Sequence, residues 1–405
     1  MTPKLSPFRV IAATLPLTLA ACSLVGAPWS ARNKPPPAPA VVAPAPAPAL
    51  PAPQESSRFE LTDAQQSVIG DLQETTVGKD DTLTDIARRF NLGYEELLRA
   101  NPGVDPWLPG VGRTIVLPTR FVLPDAPHDG VVINIAAMRL FYFPPHKPGE
   151  TAVVYTHPIG IGKVGWATPE GTTKIVRRQK DPTWHPPISV IKEHKENGDD
   201  LPAVVGPGPD NPLGNRAFYL TWPGYLIHGT NKPAGVGLRS SHGCIRLFPE
   251  DIDELFDKVP LGTQVHVVNQ PYVFGWDKGQ LVMQSFGSLE DDRRDWQKAQ
   301  HALLSRSLSK SVQKELKARG ETVDWELVTQ LAHTPRGLIV PVTLTDASVD
   351  KVLASATKVA NELPVGASWD GKSDLPVDEK TFQQIMGDSD PQDHLVPTAG
   401  HKTGG

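Results

Sequence analysis

The sequence has very little cysteine. Only Cys22 and Cys244 occur in its 405 residues, and Cys22 closes an apolar leader, so Cys244 is the only thiol in the rest of the chain. This excludes a disulfide framework, and hydrophobic cores must stabilise the folded parts. No apolar run outside the leader approaches the roughly 20 residues that a spanning helix needs. The formal net charge of -5 and the pI near 6.2 indicate no basic surface, so no nucleic-acid partner is expected.

Residues 1–22 predict a secretion signal. Lys4 and Arg9 precede an apolar run that is too short to cross a bilayer and is typical of a signal peptide. The run ends with Leu-Ala-Ala directly before Cys22, which resembles the lipobox of bacterial lipoproteins. That resemblance implies lipidation of Cys22 and, because Ser23 rather than Asp follows, attachment to the outer membrane. The alternative is an ordinary signal peptide that is cleaved just before Cys22.

Composition divides the remaining chain into five segments. Pro and Ala dominate the first, which cannot build a core and predicts an extended spacer. Three folded units follow, and the polar C-terminal end predicts a flexible tail. The predicted bounds are 23–72 for the linker, 73–119 and 129–270 for the first two folded units, 279–387 for an α+β region of unknown role, and 388–405 for the tail.

The unit at residues 73–119 predicts a βααβ fold. Four apolar residues have the spacing of one helical face, namely Leu83, Ile86, Ala87 and Phe90. Asp81 or Thr82 can cap this helix. A second helix is predicted at residues 94–100, and short strands at residues 74–77 and 114–117.

Three stretches of this unit resemble the LysM domain. They are Gly78 to Phe90, Ala100-Asn101-Pro102 and Gly112 to Pro118. The resemblance implies binding of glycans that contain N-acetylglucosamine, such as peptidoglycan. The opening Gly-Lys-Asp-Asp departs from the commoner Gly-Asp-Thr, and the alternative is a structural module that does not bind glycan.

Residues 129–270 predict a β-rich unit. Short runs of β-branched and aromatic residues, bounded by turn residues, indicate strands at 131–135, 140–143, 152–155, 172–176, 218–221 and 265–268. One helix is predicted from Pro249 onwards, because Ile252, Leu255 and Phe256 share a face. Residues 181–217 are rich in Pro, Gly and Asp and are too long for a passive connection, which predicts a structured lid or substrate loop.

The C-terminal α+β region carries no catalytic constellation in its sequence. A strand is predicted at 281–284, a charged helical segment at 290–319, a second strand at 338–343 and a helix at 348–362. We expect this region to bind a partner or to stabilise the rest of the chain.

The lone thiol of Cys244 lies close in sequence to two histidines, which is the arrangement expected of a cysteine nucleophile. A thiol with a pKa of about 8.5 is mostly protonated at neutral pH, and a neighbouring imidazole can accept its proton. His228 follows a predicted strand at residues 225–227 and approaches from another strand, so it is assigned as proton acceptor and donor. His242 lies two residues before Cys244 and is assigned as support.

The residues beside Cys244 suggest how a substrate carbonyl is held. Gly243 leaves space for the carbonyl, and the backbone N–H groups of Gly243 and Cys244 are predicted to form an oxyanion hole. Arg246 returns to the face of Cys244 and can hold a carboxylate, with a surface ion pair as the alternative. Gly229 and Ser241, next to the two histidines, are assigned to substrate binding together with Arg246.

His228-Gly229-Thr230 followed by Ser241 to Leu247 resembles the signature of the L,D-transpeptidase (YkuD) family. The match is closest to its periplasmic enterobacterial members, which carry a LysM unit before the catalytic domain. Further matches are Ile133-Asn134-Ile135, Gly160-Ile161-Gly162, Thr168 to Thr172 and Asn211 to Gly214. The resemblance implies a sandwich-like catalytic fold without a metal or an organic cofactor, on the periplasmic side of the cell envelope.

The reaction implied by this family is acyl transfer on peptidoglycan. Cys244 attacks the bond after the L-centre of meso-diaminopimelate in a tetrapeptide stem and releases the terminal D-alanine. The acyl group then passes to an amine, either of another stem or of a lysine of an outer-membrane lipoprotein.

The sequence is also compatible with three other functions. His228, His242 and Cys244 could supply three ligands to a zinc ion, since zinc accepts both histidine and cysteine. A non-enzymatic protein could anchor the envelope to the wall through a lipid at Cys22 and a LysM unit. A hydrolytic enzyme would pass the acyl group to water, as a carboxypeptidase or an amidase does.

Overall fold

The computed structural model describes residues 50–53, 57–63, 66–196, 198, 200–364 and 367–371. The predicted signal with Cys22 and the predicted tail at 388–405 lie outside the described residues. Within these ranges, no helix has both the length and the apolar character to cross a membrane.

The small N-terminal unit has the predicted order of strand, helix, helix and strand. With the strands that flank it, its elements are β1 (Arg58–Leu61), β2 (Val68–Gly70), β3 (Gln73–Thr76), α1 (Leu83–Arg89), α2 (Tyr94–Ala100), β4 (Thr114–Leu117) and β5 (Arg120–Val122). β3 and β4 pair antiparallel, and Thr82 caps α1 by accepting the backbone N–H of Asp85. Both predicted helices are therefore confirmed.

Two strands lie inside the segment predicted as a linker at 23–72. β2 pairs antiparallel with β5, and β1 pairs antiparallel with a strand of the large sheet described next. The linker prediction is wrong for residues 58–61 and 68–70. Strands of three or four residues whose partners are distant in sequence leave almost no local periodic pattern.

The largest sheet among the described residues has nine strands. Its unit contains β6 (Gly130–Asn134), β7 (Arg139–Phe143), β8 (Ala152–Pro158), β9 (Ile161–Gly162), β10 (Gly171–Lys180), α3 (Ile188–Glu196), β11 (Arg216–Leu220), β12 (Leu226–His228), β13 (Arg239–Ser241), β14 (Ile245–Arg246), α4 (Pro249–Lys258) and β15 (Gln264–Val268). The strand order is β1-β8-β7-β6-β15-β10-β11-β12-β14, while β9 and β13 form a separate parallel pair. The β-rich prediction and the helix from Pro249 are confirmed.

The two faces of this sheet bury different cores. Along β6, Val131 and Ile133 belong to a core that also contains residues of α4, while Val132 between them belongs to a core on the other face. Because strand side chains alternate, burial on both faces explains the unbroken apolar run of β6. The second core also contains Leu83 and Ile86 of α1, so the small unit and the sheet share one hydrophobic core.

The C-terminal region is α+β, as predicted. It comprises β16 (Tyr272–Asp277), β17 (Gln280–Ser285), α5 (Trp296–Ser307), α6 (Lys310–Arg319), α7 (Trp325–His333), β18 (Ile339–Pro341), α8 (Val349–Leu353) and β19 (Thr357–Lys358). β16, β17 and β18 form an antiparallel sheet that buries a core with α5, α6 and α7. The sequence pattern predicted neither β16 nor α7.

Two predictions for this region need correction. The helical segment at 290–319 is two helices, because Ser309 caps α6 and so starts a new helix after α5. The helix predicted at 348–362 ends at Leu353. The chain then forms β19, which pairs in parallel with β3 of the N-terminal unit, so a distant partner overrides local helical preference.

Candidate active site

Parallel pairing of β12 with β14 brings His228 to the segment that contains Cys244. Ile227 is opposite Ile245, and His228 is opposite Arg246. Cys244 immediately precedes β14. Burial has the larger effect on the pKa of both His228 and Cys244, and the charge of Arg246 acts on each of them, so Arg246 lies within electrostatic reach of both side chains.

The turn before Cys244 requires glycine. Gly243 has a φ of +100°, and a Cβ there would lie 2.9 Å from Cε1 of Tyr225. The Gly243 carbonyl accepts a hydrogen bond from Oγ1 of Thr168 at 3.0 Å, and Oγ of Ser241 donates to the Cys244 carbonyl at 2.6 Å. The hydrogen bond from Thr168 to the Gly243 carbonyl thus fixes the orientation of the peptide that joins Gly243 to Cys244.

The predicted pair of oxyanion donors is only partly available. The backbone N–H of Gly243 donates to Oγ of Ser241 at 3.1 Å, so it is already used. In a trans peptide the C=O and N–H point in opposite directions. Because Thr168 binds the Gly243 carbonyl, the N–H of Cys244 points away from Thr168. This leaves the Cys244 N–H as the donor that the turn can offer.

The thiol of Cys244 has a raised pKa, which favours its protonated form at neutral pH. Sγ donates to the carbonyl of Gly224 at 3.6 Å. Burial raises the pKa of Cys244 above its ordinary value, although a backbone hydrogen bond with Leu226 and the charge of Arg246 oppose that rise. A buried thiol with a raised pKa needs a base at the moment of attack.

His228 is arranged as a neutral base. Its Nδ1 donates to the carbonyl of Gly229 at 2.6 Å, which leaves Nε2 as the acceptor. Burial is the main cause that lowers the pKa of His228 to about 3, and the charge of Arg246 lowers it further. The imidazole is therefore uncharged at neutral pH.

His242 makes contacts that the sequence did not suggest. Its Nε2 is 2.7 Å from Oε2 of Glu193 on α3, and its ring meets Trp166 edge-on at 4.8 Å between centroids. Lys163 binds the other carboxylate oxygen of Glu193. Burial raises the pKa of Glu193, but hydrogen bonds from Lys163 and His242 outweigh it, so Glu193 is a carboxylate at neutral pH.

Arg246 lies on β14 directly after the Cys244 segment and has few side-chain partners. Its Nη1 donates to Oγ of Ser240 at 3.1 Å, and its backbone pairs with Gly160. Burial lowers the pKa of Arg246. Within the described ranges no carboxylate pairs with Arg246 and its buried Nε has no hydrogen-bond partner, so the surface ion pair considered as an alternative is not found there.

Gly229 and Ser241 make hydrogen bonds within the protein that orient His228 and the turn around Cys244. The Gly229 carbonyl orients His228, and a Cβ at Gly229 would lie 3.0 Å from Cγ2 of Ile252 on α4. The Ser241 hydroxyl is used within the turn around Cys244. The structure therefore shows internal contacts for both residues, and their contact with substrate stays a prediction.

The zinc alternative has no ligand set in the part of the chain that the structure describes. No group of three or more His, Cys, Asp or Glu side chains is placed there to hold a metal ion. His242 is instead bonded to Glu193, and His228 to the carbonyl of Gly229.

Comparisons with known proteins agree on the family. Residues 128–267 match the L,D-transpeptidase catalytic domain (YkuD), and residues 75–118 match the LysM domain. The chain is 42% identical over 227 residues to the probable L,D-transpeptidase YcfS of Escherichia coli, which covers 55% of this chain and 70% of that protein. It is 43% identical over 224 residues to the probable L,D-transpeptidase YbiS of Escherichia coli, with 55% and 69% covered.

A relative with lower identity also matches the chain. The chain is 32% identical over 194 residues to the putative L,D-transpeptidase YkuD of Bacillus subtilis, which spans 47% of this chain and 96% of that protein. High identity over more than two thirds of each relative, together with both matched domains, identifies the family. The chain belongs to the L,D-transpeptidase (YkuD) family and carries a LysM domain.

Proposed function

We propose that the protein is a cysteine-dependent L,D-transpeptidase of peptidoglycan. Cys244 attacks the carbonyl between meso-diaminopimelate and D-alanine in a tetrapeptide stem and forms a thioester. The pairing of β12 with β14 supports this proposal, because it puts His228 opposite Arg246, two residues after Cys244, which is the only thiol among the described residues.

The order of proton transfers can be deduced from the uncharged resting states of Cys244 and His228. Sγ of Cys244 loses its proton to Nε2 of His228 as the C–S bond forms, because neither group is charged beforehand. The imidazolium then protonates the amine of the departing D-alanine. An acceptor amine enters, loses a proton to the same nitrogen and displaces Sγ, which then takes that proton from the imidazolium.

Two groups bind the substrate in this mechanism. The N–H of Cys244 stabilises the oxyanion, and one such donor contributes about 3–4 kcal/mol to the transition state. Arg246 is half-buried close to Cys244, and its guanidinium pairs with no carboxylate among the described residues, which fits a carboxylate of the stem peptide. His242 supports the site through its contacts with Glu193 and Trp166.

The other domains suggest where the reaction takes place. We infer that the LysM domain at 73–119 binds the glycan of peptidoglycan and that the catalytic domain at 129–270 acts on the stems. A lipid on Cys22 would hold the protein on the periplasmic face of the outer membrane, with residues 23–57 as spacer. The acceptor is an amine of another stem or of a lipoprotein lysine.

Mass spectrometry of muropeptides tests this function. Purified protein is incubated with sacculi, with and without an outer-membrane lipoprotein that ends in lysine. We expect D-alanine release together with cross-linked stems or stem–lipoprotein adducts, and Cys244→Ala should form neither while still binding sacculi. D-alanine release with tripeptide as the only product would indicate a hydrolase, and no release by the wild type would indicate a non-enzymatic anchor.

A further inference from the structure

The lid segment, residues 181–215 between β10 and β11, is fixed at its base. Trp184 and Val205 form an antiparallel bridge with hydrogen bonds of 2.8 and 2.9 Å. Asn211 is completely buried, donates to the Pro182 carbonyl at 2.6 Å and accepts the N–H of Leu213 at 2.9 Å. These hydrogen bonds fix the two ends of the segment to each other, and none of them involves the helix α3.

The tip of the lid segment is the helix α3, and it has little apolar contact with the rest of the protein. All nine residues of α3 are described, and Val190 is the single buried one among them, while Ile188 is 86% exposed. One buried side chain provides a weak hydrophobic attachment. Glu193 supplies a polar attachment, because it bonds to His242 and to Lys163.

Both partners of Glu193 are fixed to the segment that carries the nucleophile. His242 lies two residues before Cys244, and the backbone N–H of Lys163 donates to the carbonyl of Ser241 at 2.9 Å. Trp166 packs against the ring of His242. Glu193 therefore connects the tip of the lid segment to two groups whose positions depend on the fold around Cys244.

We infer that Glu193 latches α3 against the segment that carries Cys244 and that the closed lid segment keeps water from the thioester, which makes the acyl group pass to an amine rather than to water. This inference rests on the proposed function. The acceptor nitrogen attacks the thioester carbonyl carbon, the C–S bond breaks, and the proton of the nitrogen returns through His228 to Sγ. Water can perform the same steps with its oxygen, so the outcome depends on which nucleophile enters. Glu193 is a positioning residue in this account.

The ratio of hydrolysis to transfer tests the latch in the full chain. Glu193→Gln and Glu193→Ala are incubated with disaccharide-tetrapeptide as donor and acceptor, and tripeptide is compared with cross-linked dimer by mass spectrometry. We expect the ratio of tripeptide to dimer to rise about tenfold, because an opened lid admits water. Glu196→Gln is the matched control, since Glu196 lies on the same helix and pairs with Lys192 in solvent, where it is 65% exposed. That control should keep the wild-type ratio.

A second readout separates the latch from the proposed function. A carbapenem is used to acylate Cys244, and the loss of the covalent adduct by hydrolysis is followed by intact mass. We expect faster loss in Glu193→Ala and in Lys163→Met, with new protease cleavage between residues 187 and 205. If wild-type protein forms the adduct but never releases D-alanine from stems, the proposed function fails and the latch is still tested. Unchanged adduct lifetimes and product ratios in both Glu193 variants would overturn the latch.

Discussion

Arg139 of β7 and Glu96 of α2 form a two-bond ion pair inside the protein. The Nε–Oε1 and Nη2–Oε2 distances are 2.7 and 2.8 Å, and the side chains are 1% and 6% exposed. Nη2 of Arg139 also donates to the Asn91 carbonyl, and the guanidinium covers the ring of Phe121. The pair joins the LysM domain to the catalytic sheet, so the contact between the two domains is specific and fully bonded.

Removing one partner of this pair should destabilise the protein strongly. Arg139→Met leaves Glu96 buried without its cation, which typically costs about 3–5 kcal/mol in the free energy of unfolding. Urea unfolding followed by tryptophan fluorescence measures this change. Glu60→Gln is the control, because Glu60 is 59% exposed and its pair with Arg58 should contribute about 1 kcal/mol or less. Equal losses in the two variants would contradict the structural role of the buried pair.

Gly243→Ala should reduce activity without unfolding the protein. The φ of +100° and the approach of Tyr225 to 2.9 Å force the turn to move, and the Cys244 N–H moves with it. Loss of one oxyanion donor predicts a decrease in kcat of about 10²–10³-fold, measured as D-alanine release. The control is Gly206→Ala, which meets no atom within 4 Å and has no positive φ. Near-normal activity in Gly243→Ala would show that the turn does not hold the oxyanion.

Alkylation of Cys244 should be slow at neutral pH and should accelerate in alkaline solution. Burial raises the pKa of the thiol, so less thiolate is present at neutral pH than for an ordinary cysteine. His228, with its pKa lowered to about 3, supplies no imidazolium to hold a thiolate near neutrality. The rate of modification by iodoacetamide, followed by intact mass with Cys244→Ala as background, measures this. A fast rate that stays constant from about pH 5 to 8 would instead indicate a preformed ion pair.

Thr357→Pro should loosen the LysM domain. The backbone N–H of Thr357 donates to the Leu72 carbonyl at 3.0 Å where β19 joins β3, and proline has no N–H to donate. An unpaired buried carbonyl and a distorted strand predict a loss of about 1–3 kcal/mol. Faster hydrogen exchange at residues 73–76 in Thr357→Pro, but not in Thr357→Ala, checks this. Equal exchange in the two variants would mean that β19 contributes little to the LysM sheet.

Local patterns predicted those parts of the fold whose signals are local. The spacing of Leu83, Ile86 and Phe90 and the cap at Thr82 were sufficient for α1, and Pro249 marked the start of α4. β1 and β19 were missed, because each is a very short strand that depends on a partner far away in the chain. Pairing of this kind leaves no periodic trace in the sequence.

The candidate site, too, could be predicted from the sequence only in part. His228, Cys244 and Arg246 could be named because their residue types imply chemistry, and the pairing of β12 with β14 places them together. Glu193 could not be named, since a single acidic residue on a polar helix looks like any solvated side chain. The engagement of the Gly243 N–H by Ser241 was also hidden, because it depends on the conformation of the turn.

The core shared by α1 and the catalytic sheet also sets how the two domains can work together. A LysM domain on a flexible tether would let the catalytic site search a volume set by the length of the linker. Here Leu83 and Ile86 pack with Val132 and Phe141 in one core, so no such search volume exists. A glycan held by the LysM domain would present its stems at one fixed distance and orientation from Cys244. The effective concentration of substrate then depends on the spacing of stems along the glycan strand, and a strand with the wrong spacing would be bound but left unprocessed.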